Sequence, residues 1–188
     1  MAINIRPLTK EDFLGVQKFA DDYIGKNYFS LEDLERLLQL STKNGQVSSL
    51  LAFDDQKLIG MRLSFMPGQW KKEDTLDLDE SKWPHPIEDM AYFKSLFISA
   101  EYQGIGLGIR MSKRALEIFK AQGAKGVVTH SWMQSPNNSS YKYLKKLGFE
   151  VIREIPNAWS HIDYECVVCS PLRCHCSAKE MCLDLEKK

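Results

Sequence analysis

Apolar side chains recur along the chain with two periodicities, one typical of strands and one typical of helices. Ile3 and Ile5 alternate with polar neighbours, which is typical of a short strand. Apolar residues in 10–24 instead recur every three or four positions, which is typical of an amphipathic helix. Ser30, with Asp33 three residues later, forms a capping box that predicts the start of a second helix.

The rest of the chain alternates between segments with strand periodicity and segments with helix periodicity. Two apolar runs joined by the turn-like trio Asp54-Asp55-Gln56 predict a hairpin. This mixed order, with central strand–helix–strand units, predicts an α/β protein built on one sheet. The predicted elements after the second helix are strands 47–53, 57–66 and 90–99, a helix ending at 121, strand 127–133, helix 137–147, and strands 149–155 and 162–168.

Composition narrows the function classes. The 188 residues suit one domain of ordinary size. Lysine plus arginine and aspartate plus glutamate both count 25, and this balance argues against nucleic acid as the main partner. We also expect no membrane association, because no apolar run approaches the ~20 residues of a spanning helix. The N-terminal segment lacks the pattern of a signal peptide, so the expected compartment is the cytosol.

A glycine-rich segment, 103–108, lies between the buried strand 90–99 and a long amphipathic helix. Glycines at such a junction let a ligand approach the backbone, and the first free amides of the helix attract anions. A diphosphate is the natural occupant.

Two common nucleotide loops do not fit this segment. The dinucleotide fingerprint requires glycines spaced Gly-x-Gly-x-x-Gly, whereas Gly104 and Gly106 are followed by a glycine at 108. The Walker loop ends in Gly-Lys-Ser/Thr, whereas residues 108–110 are Gly-Ile-Arg.

The spacing instead resembles that of the GNAT acetyltransferases. Gln103-x-x-Gly106-x-Gly108 is similar to the pyrophosphate loop of that family, Gln/Arg-x-x-Gly-x-Gly/Ala. Downstream, Asn137-x-x-Ser140 resembles the family's Asn-x-x-Ala helix, and Lys146-Leu147-Gly148-Phe149-Glu150 resembles its terminal Lys-Leu-Gly-Phe-Glu. The resemblance covers about residues 3–168.

The resemblance implies a fold and an activity. The expected fold is a mixed, mostly antiparallel central sheet with splayed strands, flanked by about four helices. The expected activity is transfer of an acetyl group from acetyl-CoA to a primary amine, by direct attack in a ternary complex. We assign residues 1–168 to this domain and 169–188 to a cysteine-rich tail packed on it.

The resemblance also implies which residues contact the cofactor. They lie on the splayed strand, in the glycine loop and at the start of the later helix. They are Leu96, Phe97 and Ile98 for the pantetheine amides, Gln103, Gly104, Ile105, Gly106, Leu107 and Gly108 for the pyrophosphate, and Asn137 for the cofactor arm.

The proton-transfer residues depart from the family's pattern. The position of the family's general-acid tyrosine holds Leu144, so Tyr141 or Tyr143 is the candidate, unless both are packing aromatics and water supplies the proton. No residue is assigned as general base. Glu88, Asp89 and His130 are candidates, and a lone histidine on a strand is more often structural.

The polar segment 67–87 precedes the cofactor strand and is therefore expected near the acceptor side. Its acidic residues are able to attract a cationic amine. The alternative, which we favour, is a surface loop whose tryptophans, Trp70 and Trp83, are tucked onto the core. The acceptor stays open between a small-molecule amine and a peptide amine.

All five cysteines lie in the last 23 residues. Cys166, Cys169, Cys174 and Cys176 form a pattern that suits a structural zinc ion, although the spacing between the two pairs is shorter than in ordinary zinc fingers. Free or redox-active thiols and a disulfide are the alternatives.

Two other functions compete with catalysis. One is a non-catalytic acyl-CoA-binding regulatory module, and the other is a zinc-dependent interaction protein. The oligomeric state is left open, with a homodimer among the candidates.

Overall fold

The computed structural model describes residues 3–187 and contains eleven strands and four α-helices within that range. The strands are β1 (Asn4–Pro7), β2 (Gly25–Lys26), β3 (Thr42–Lys43), β4 (Gln46–Val47), β5 (Leu50–Asp54), β6 (Lys57–Phe65), β7 (Met90–Ile98), β8 (Gly126–Trp132), β9 (Glu150–Ile155), β10 (Glu165–Cys166) and β11 (Ala178–Asp184). The α-helices are α1 (Phe13–Tyr23), α2 (Leu31–Leu40), α3 (Leu107–Ala121) and α4 (Ser139–Lys146).

Seven of these strands form one sheet in the order β1-β5-β6-β7-β8-β11-β9. Every neighbouring pair is antiparallel except β7 and β8, which run parallel. The parallel pairing ends with Phe93 opposite Thr129, although β7 continues to Ile98 and β8 to Trp132. The two strands therefore part, and the predicted mostly antiparallel sheet with splayed strands is confirmed.

A β-bulge marks the place where β7 leaves its parallel neighbour. Leu63 of β6 pairs with Ser95, but the next residue, Ser64, pairs with Phe93, so Lys94 is the extra residue on β7. A bulge bends its strand and increases the local twist. It thus gives a physical reason for the loss of pairing with β8 directly after Phe93.

Helices cover both faces of the sheet. On one face, α1 and α2 pack on inward residues of β6 and β7 such as Met61, Leu63 and Tyr92. On the other face, α3 and α4 pack on a second cluster that includes Phe93 and Phe149. Alternate residues of β7 thus belong to opposite cores, as the period-two geometry of a strand requires.

The predicted loop at 67–87 is a surface segment with two short 3₁₀ turns, anchored by its two tryptophans. The Trp70 indole donates to the carbonyl of Met90 at 2.8 Å, and the Trp83 indole donates to Glu180 at 2.8 Å. The acidic residues of this segment are largely paired with cations of the chain, so they are poor attractors for a distant amine. These pairs are Asp74 with Arg36, Asp77 with Arg153, Asp79 with Lys82, and Glu80 with Lys72.

The C-terminal end differs from its prediction. The predicted strand 162–168 is reduced to β10, which pairs with β2 outside the main sheet. The last strand is β11, which inserts between β8 and β9, so residues 178–184 belong to the sheet rather than to a tail packed on it. The pattern hid this strand because two charged residues, Lys179 and Glu180, interrupt its apolar alternation.

Glu180 explains how a charge is tolerated inside the sheet. Its side chain is fully buried and accepts hydrogen bonds from the Asp79 amide, the Trp83 indole and the Arg153 guanidinium. Every group around the carboxylate is a donor, so both oxygens are satisfied. This one carboxylate joins the 67–87 segment and β9 to β11.

We expect Glu180→Gln to lower the free energy of unfolding by about 3 kcal/mol, because the new amide NH₂ faces only donors and Arg153 loses its buried partner. Urea unfolding of the purified chain measures this loss. The matched control is Glu154→Gln on β9, whose ion pair with Lys179 lies at the surface and should contribute at most ~0.5 kcal/mol. Equal losses in the two variants would contradict the role assigned to Glu180.

Candidate functional site

A cleft of about 540 Å³ opens where β7 and β8 part. The glycine loop and the start of α3 line it, and so do aromatic residues that follow α1 and precede β10. Of the residues predicted to contact a cofactor, those that line the cleft are Leu96, Phe97, Ile98, Gln103, Gly104, Gly106, Leu107 and Gly108. Ile105 points outward, with 56% of its surface exposed.

The glycine loop presents unpaired backbone amides to the cleft. Arg110 donates the first helical hydrogen bond of α3, to the carbonyl of Gly106 at 3.0 Å. The amides of residues 107–109 therefore have no helical partner. Gly106 caps the helix with φ of 78°, a left-handed conformation that side chains rarely adopt. The result is a helix N-terminus shaped for an anion.

Gly108 has a different reason to be glycine. A Cβ atom there would lie 3.0 Å from the Leu96 side chain, tighter than ordinary contact. The missing side chain lets the first turn of α3 lie against β7. The anion site and the splayed strand are thereby brought to the same end of the cleft.

The cleft edge of β7 offers free peptide groups for a ligand. At the two ends of this edge the carbonyls are already used, because Phe93 accepts from the Thr129 hydroxyl and Ile98 accepts from the Gln103 amide. Between them, in the described part of the chain, the β8-facing groups have no strand partner. A linear ligand is able to pair there as a further strand would.

The start of α4 lies differently from its prediction. Residues 136–138 form a 3₁₀ turn in which both asparagines have positive φ, and α4 begins at Ser139. Asn137 is exposed at this turn, and the cleft wall is formed instead by Ser139 and Ser140. The contact that the family resemblance implies at Asn137 stays a prediction, since Asn137 lies beside the lining residue Pro136 without lining the cleft itself.

The two candidate tyrosines separate clearly. Tyr143 lines the cleft and accepts a hydrogen bond from Arg62. Tyr141 lies on the side of α4 where its ring meets the ammonium of Lys179, 5.7 Å from the ring centroid. The residue that shares a face with Tyr143 is Ser140, three positions earlier, and both face the cleft.

Arg62 lies at the floor of the cleft and was not identified from the sequence. Its side chain is 1% exposed, stacks on the Phe93 ring at 4.1 Å, and also donates to the Ser112 hydroxyl at 3.3 Å. Burial lowers the pKa of the Arg62 guanidinium, and the neighbouring Tyr143 partly offsets this. The available sign was a charged residue in the middle of β6, between the apolar residues Met61 and Leu63.

Lys94 is the second cation that the sequence analysis missed. It lines the cleft beside the bulge, and its ammonium lies 5.8 Å and 5.9 Å from the ring centroids of Phe65 and Phe29. Burial lowers the pKa of Lys94 below the usual value for lysine. Within residues 3–187, no carboxylate lines the main cleft, so the site carries a positive bias.

None of the candidate bases is placed to act. Asp89 pairs with Lys125 at the far end of β7, and Glu88 is its neighbour, roughly 30 Å along the strand from the glycine loop. His130 lines the cleft, but its Nδ1 bonds the Tyr92 hydroxyl at 2.8 Å and its Nε2 bonds the Asp77 carbonyl at 3.2 Å. Burial lowers the pKa of His130 to about 4, so the ring is neutral near pH 7.

The four cysteines predicted as metal ligands converge beside the cleft. Their Sγ atoms all lie within 4.8 Å of one another, and all four side chains are buried. Burial, the largest influence, raises the pKa of the Cys166 thiol, but hydrogen bonds from the amides of Val168 and Cys169 and from Tyr164 lower it to about 7. Cys166 itself lines the cleft.

Comparison with known proteins identifies the family. The model of the acetyltransferase (GNAT) family matches residues 13–149, well over half of the chain. The chain therefore belongs to the GNAT acetyltransferase family. A known relative, the uncharacterized N-acetyltransferase MJ1207 of Methanocaldococcus jannaschii, is 26% identical over 82 residues. That match covers 43% of this chain and 35% of the relative.

Solved structures share the fold at low identity. The putative acetyltransferase yncA of Salmonella typhimurium, solved with its cofactor acetyl-CoA, superposes with a TM-score of 0.68 at 17% identity and covers 100% of this chain and 96% of its own. Arabidopsis thaliana Naa50 in complex with the bisubstrate analogue CoA-Ac-MVNAL gives 0.64 at 17% identity, covering 98% and 99%. In the part of the chain that is described, no helix has the length and apolarity of a membrane span.

We expect Gly106→Asp to abolish measurable CoA binding. A carboxylate ~4 Å from a diphosphate opposes it by about 4 kcal/mol at an effective dielectric of ~20, on the order of 1,000-fold in affinity. Calorimetry with CoA measures the effect. The matched control is Gly123→Asp, at the opposite end of α3, where φ is also positive and a Cβ has open space. It should lose similar stability yet bind CoA normally, and normal binding by Gly106→Asp would contradict the anion site.

Proposed function

We propose that the chain is an acetyl-CoA-dependent N-acetyltransferase that acts on a primary amine. The proposal rests on one observation: the unpaired amides at the start of α3 lie next to the free edge of the splayed strand β7. In this reading, amides of residues 103–108 bind the pyrophosphate and the backbone of Leu96, Phe97 and Ile98 pairs with the pantetheine amides. Residues at the start of α4, Ser139 and Ser140, take the place that the sequence assigned to Asn137.

The proposed reaction is direct attack within a ternary complex. The neutral amine nitrogen forms a bond to the thioester carbonyl carbon, and the carbon–sulfur bond then breaks to release CoA thiolate. The amine proton passes to water. Catalysis is largely positioning of the two substrates in the cleft together with polarisation of the developing oxyanion.

The charges of the cleft support this route without an enzymatic base. A bound amine close to Arg62 and Lys94 experiences like charge, which disfavours its protonated form. The main cleft holds no carboxylate in the described chain to counteract this effect. The reactive neutral amine is therefore favoured by the environment, although none of Glu88, Asp89 and His130 is placed to remove its proton.

Tyr143 is the proposed general acid for the leaving thiolate. A guanidinium has donors only, so the Arg62 contact uses a lone pair of the Tyr143 oxygen and leaves the hydroxyl proton free. That proton is then available to the CoA sulfur, and Tyr143 regains it from water. Arg62 fixes the orientation of the hydroxyl.

The acceptor is proposed to enter from a smaller cavity that adjoins the cleft. This cavity, of about 180 Å³, shares Tyr28, Lys94 and His130 with the main cleft, and Glu73 and Asp74 lie on its rim. Asp74 is paired with Arg36, but Glu73 has no ion pair among the described residues and favours the approach of a cationic amine, which loses its proton further in. Small-molecule and peptide amines are the two acceptor classes that this path admits.

Two further assignments stay predictions. The cysteine cluster remains the predicted metal site, with zinc as the predicted ion. The cytosol remains the predicted compartment, on the sequence pattern of the N-terminal segment alone.

The purified chain is expected to release CoA thiol from acetyl-CoA only when an amine is present. The assay follows free thiol with small amines and with peptides bearing free N-termini or lysines, and mass spectrometry identifies the acetylated product. Gly106→Asp supplies the background rate. CoA binding without amine-dependent thiol release would instead favour the non-catalytic acyl-CoA-binding module.

Tyr143→Phe is expected to lower kcat by about 100-fold, because it removes a general acid, while the KM for acetyl-CoA changes little. Steady-state kinetics with the best amine of the panel measures both parameters. Tyr141→Phe, on the same helix but away from the cleft, is the matched control and should stay within about twofold of the parent kcat. Unchanged kcat in Tyr143→Phe would indicate that the thiolate takes its proton from water.

A further inference from the structure

The four cysteines come from two short turns that fold towards one point. The first turn is tight, because the amide of Ser170 donates to the carbonyl of Cys166 at 3.0 Å. The strand β10 ends at Cys166, so Cys166 and Cys169 face the same centre rather than opposite faces of a strand. Cys174 and Cys176 complete the group from the other side.

The spacing of the sulfur atoms suits coordination to one ion. A tetrahedral zinc ion with Zn–S bonds of ~2.3 Å places its ligand sulfurs about 3.8 Å apart. Here all six separations are below 4.8 Å, and Cys169 and Cys176 are 3.6 Å apart. A disulfide needs ~2.05 Å and joins sulfurs in pairs, whereas these four share a single centre.

Polar groups around the cluster already point at the sulfur atoms. The Tyr164 hydroxyl donates to Cys174 Sγ at 3.2 Å, and the His175 amide donates to Cys169 Sγ at 3.5 Å. Such donors stabilise thiolates and orient the ligands of a metal centre. Rings of Trp132 and Trp159 shield the cluster from water.

The segment around the cluster exposes its apolar side chains and buries its thiols, which is the reverse of a hydrophobic core. Its larger apolar side chains point to solvent, with Val167, Val168 and Leu172 being 51%, 49% and 69% exposed. Its small thiols point inward. Burial of apolar surface therefore does little to stabilise this segment, and a metal ion is the kind of interaction that replaces it.

The cluster is also attached to the wall of the cleft. Cys166 pairs with Gly25, where a Cβ would come within 2.2 Å of the Glu165 carbonyl, and the amide of Val167 donates to Ile24. Ile24, Cys166 and Val167 line the cleft. On the other side, the amide of Ala158 donates to the carbonyl of Cys176 at 2.8 Å.

We infer that Cys166, Cys169, Cys174 and Cys176 bind one structural zinc ion, and that this ion holds one wall of the cleft. The ion supplies no step of the acyl transfer. It fixes the 158–176 segment against residues 24–25, and so shapes the part of the cleft where the acceptor would sit. This consequence for the acceptor rests on the proposed function, whereas the metal site does not.

The first test is metal content, which needs no activity. The full chain, purified without chelator, should contain one zinc per chain by elemental analysis, and Co²⁺ exchange should give the absorption of a tetrahedral thiolate site. Cys169→Ser should lose the metal. Cys182→Ser, a buried thiol of β11 outside the cluster, should keep it.

A conservative variant keeps this test decisive if Cys169→Ser does not fold. Cys174→His preserves four ligands, so it should fold, retain close to one zinc and shift the Co²⁺ spectrum. A metal-free parent chain that does not take up added zinc would overturn the inference. So would a denatured thiol titration that finds disulfides among these cysteines, or iron in place of zinc.

The second test asks whether loss of the ion affects binding of the amine, binding of CoA at the glycine loop, or both. Removing zinc with a chelator should lower the melting temperature and raise the KM for the amine several-fold, while calorimetry still detects CoA binding at the glycine loop. Loss of CoA binding together with the metal would overturn the assignment of the ion to the acceptor wall. If the chain has no transferase activity at all, the metal content and Co²⁺ spectrum still decide the site.

Discussion

The loss of pairing between β7 and β8 is the constraint on which the site depends. A single extra residue, Lys94, bends β7 just after its last pair with β8. The same bulge opens the cleft, leaves the strand edge free and places a lysine inside it. A regular β7 would have continued the parallel ladder and filled the space that the ligand requires.

The chemistry of the cleft depends on which charged side chains line it. Most carboxylates near the opening are paired elsewhere, as Asp77 is with Arg153, or deeply buried, as Glu180 is. Arg62 and Lys94 thus remain as cations beside an amide-rich loop. This arrangement suits an anionic cofactor and an uncharged amine, and it reduces the need for a dedicated base because the local field already favours deprotonation.

The predictable parts of the molecule were those set by short-range rules. The capping box at Ser30 and Asp33 formed as expected, and so did the glycine loop, because both depend on residues a few positions apart. The strand β11 was missed since its buried charge, Glu180, is balanced by groups far away in the sequence, among them Trp83 and the Asp79 amide. The choice between Tyr141 and Tyr143 also needed the true start of α4, two residues later than the pattern suggested.

In the C-terminal segment, a pattern of cysteines predicts something different from a pattern of apolar residues. Apolar periodicity locates an element because the element must bury one face, but the 166–176 segment exposes its valines and leucine and buries its thiols. Such a segment has no apolar periodicity, and its conformation is described instead by the point at which the four cysteine sulfur atoms converge. Gly25 accommodates that meeting point, since only a residue without a side chain admits the Glu165 carbonyl so closely. The spacing of the cysteines and one glycine about 140 residues earlier thus describe a single contact, which joins the cysteine turns to the residues that follow the first helix and line the cleft.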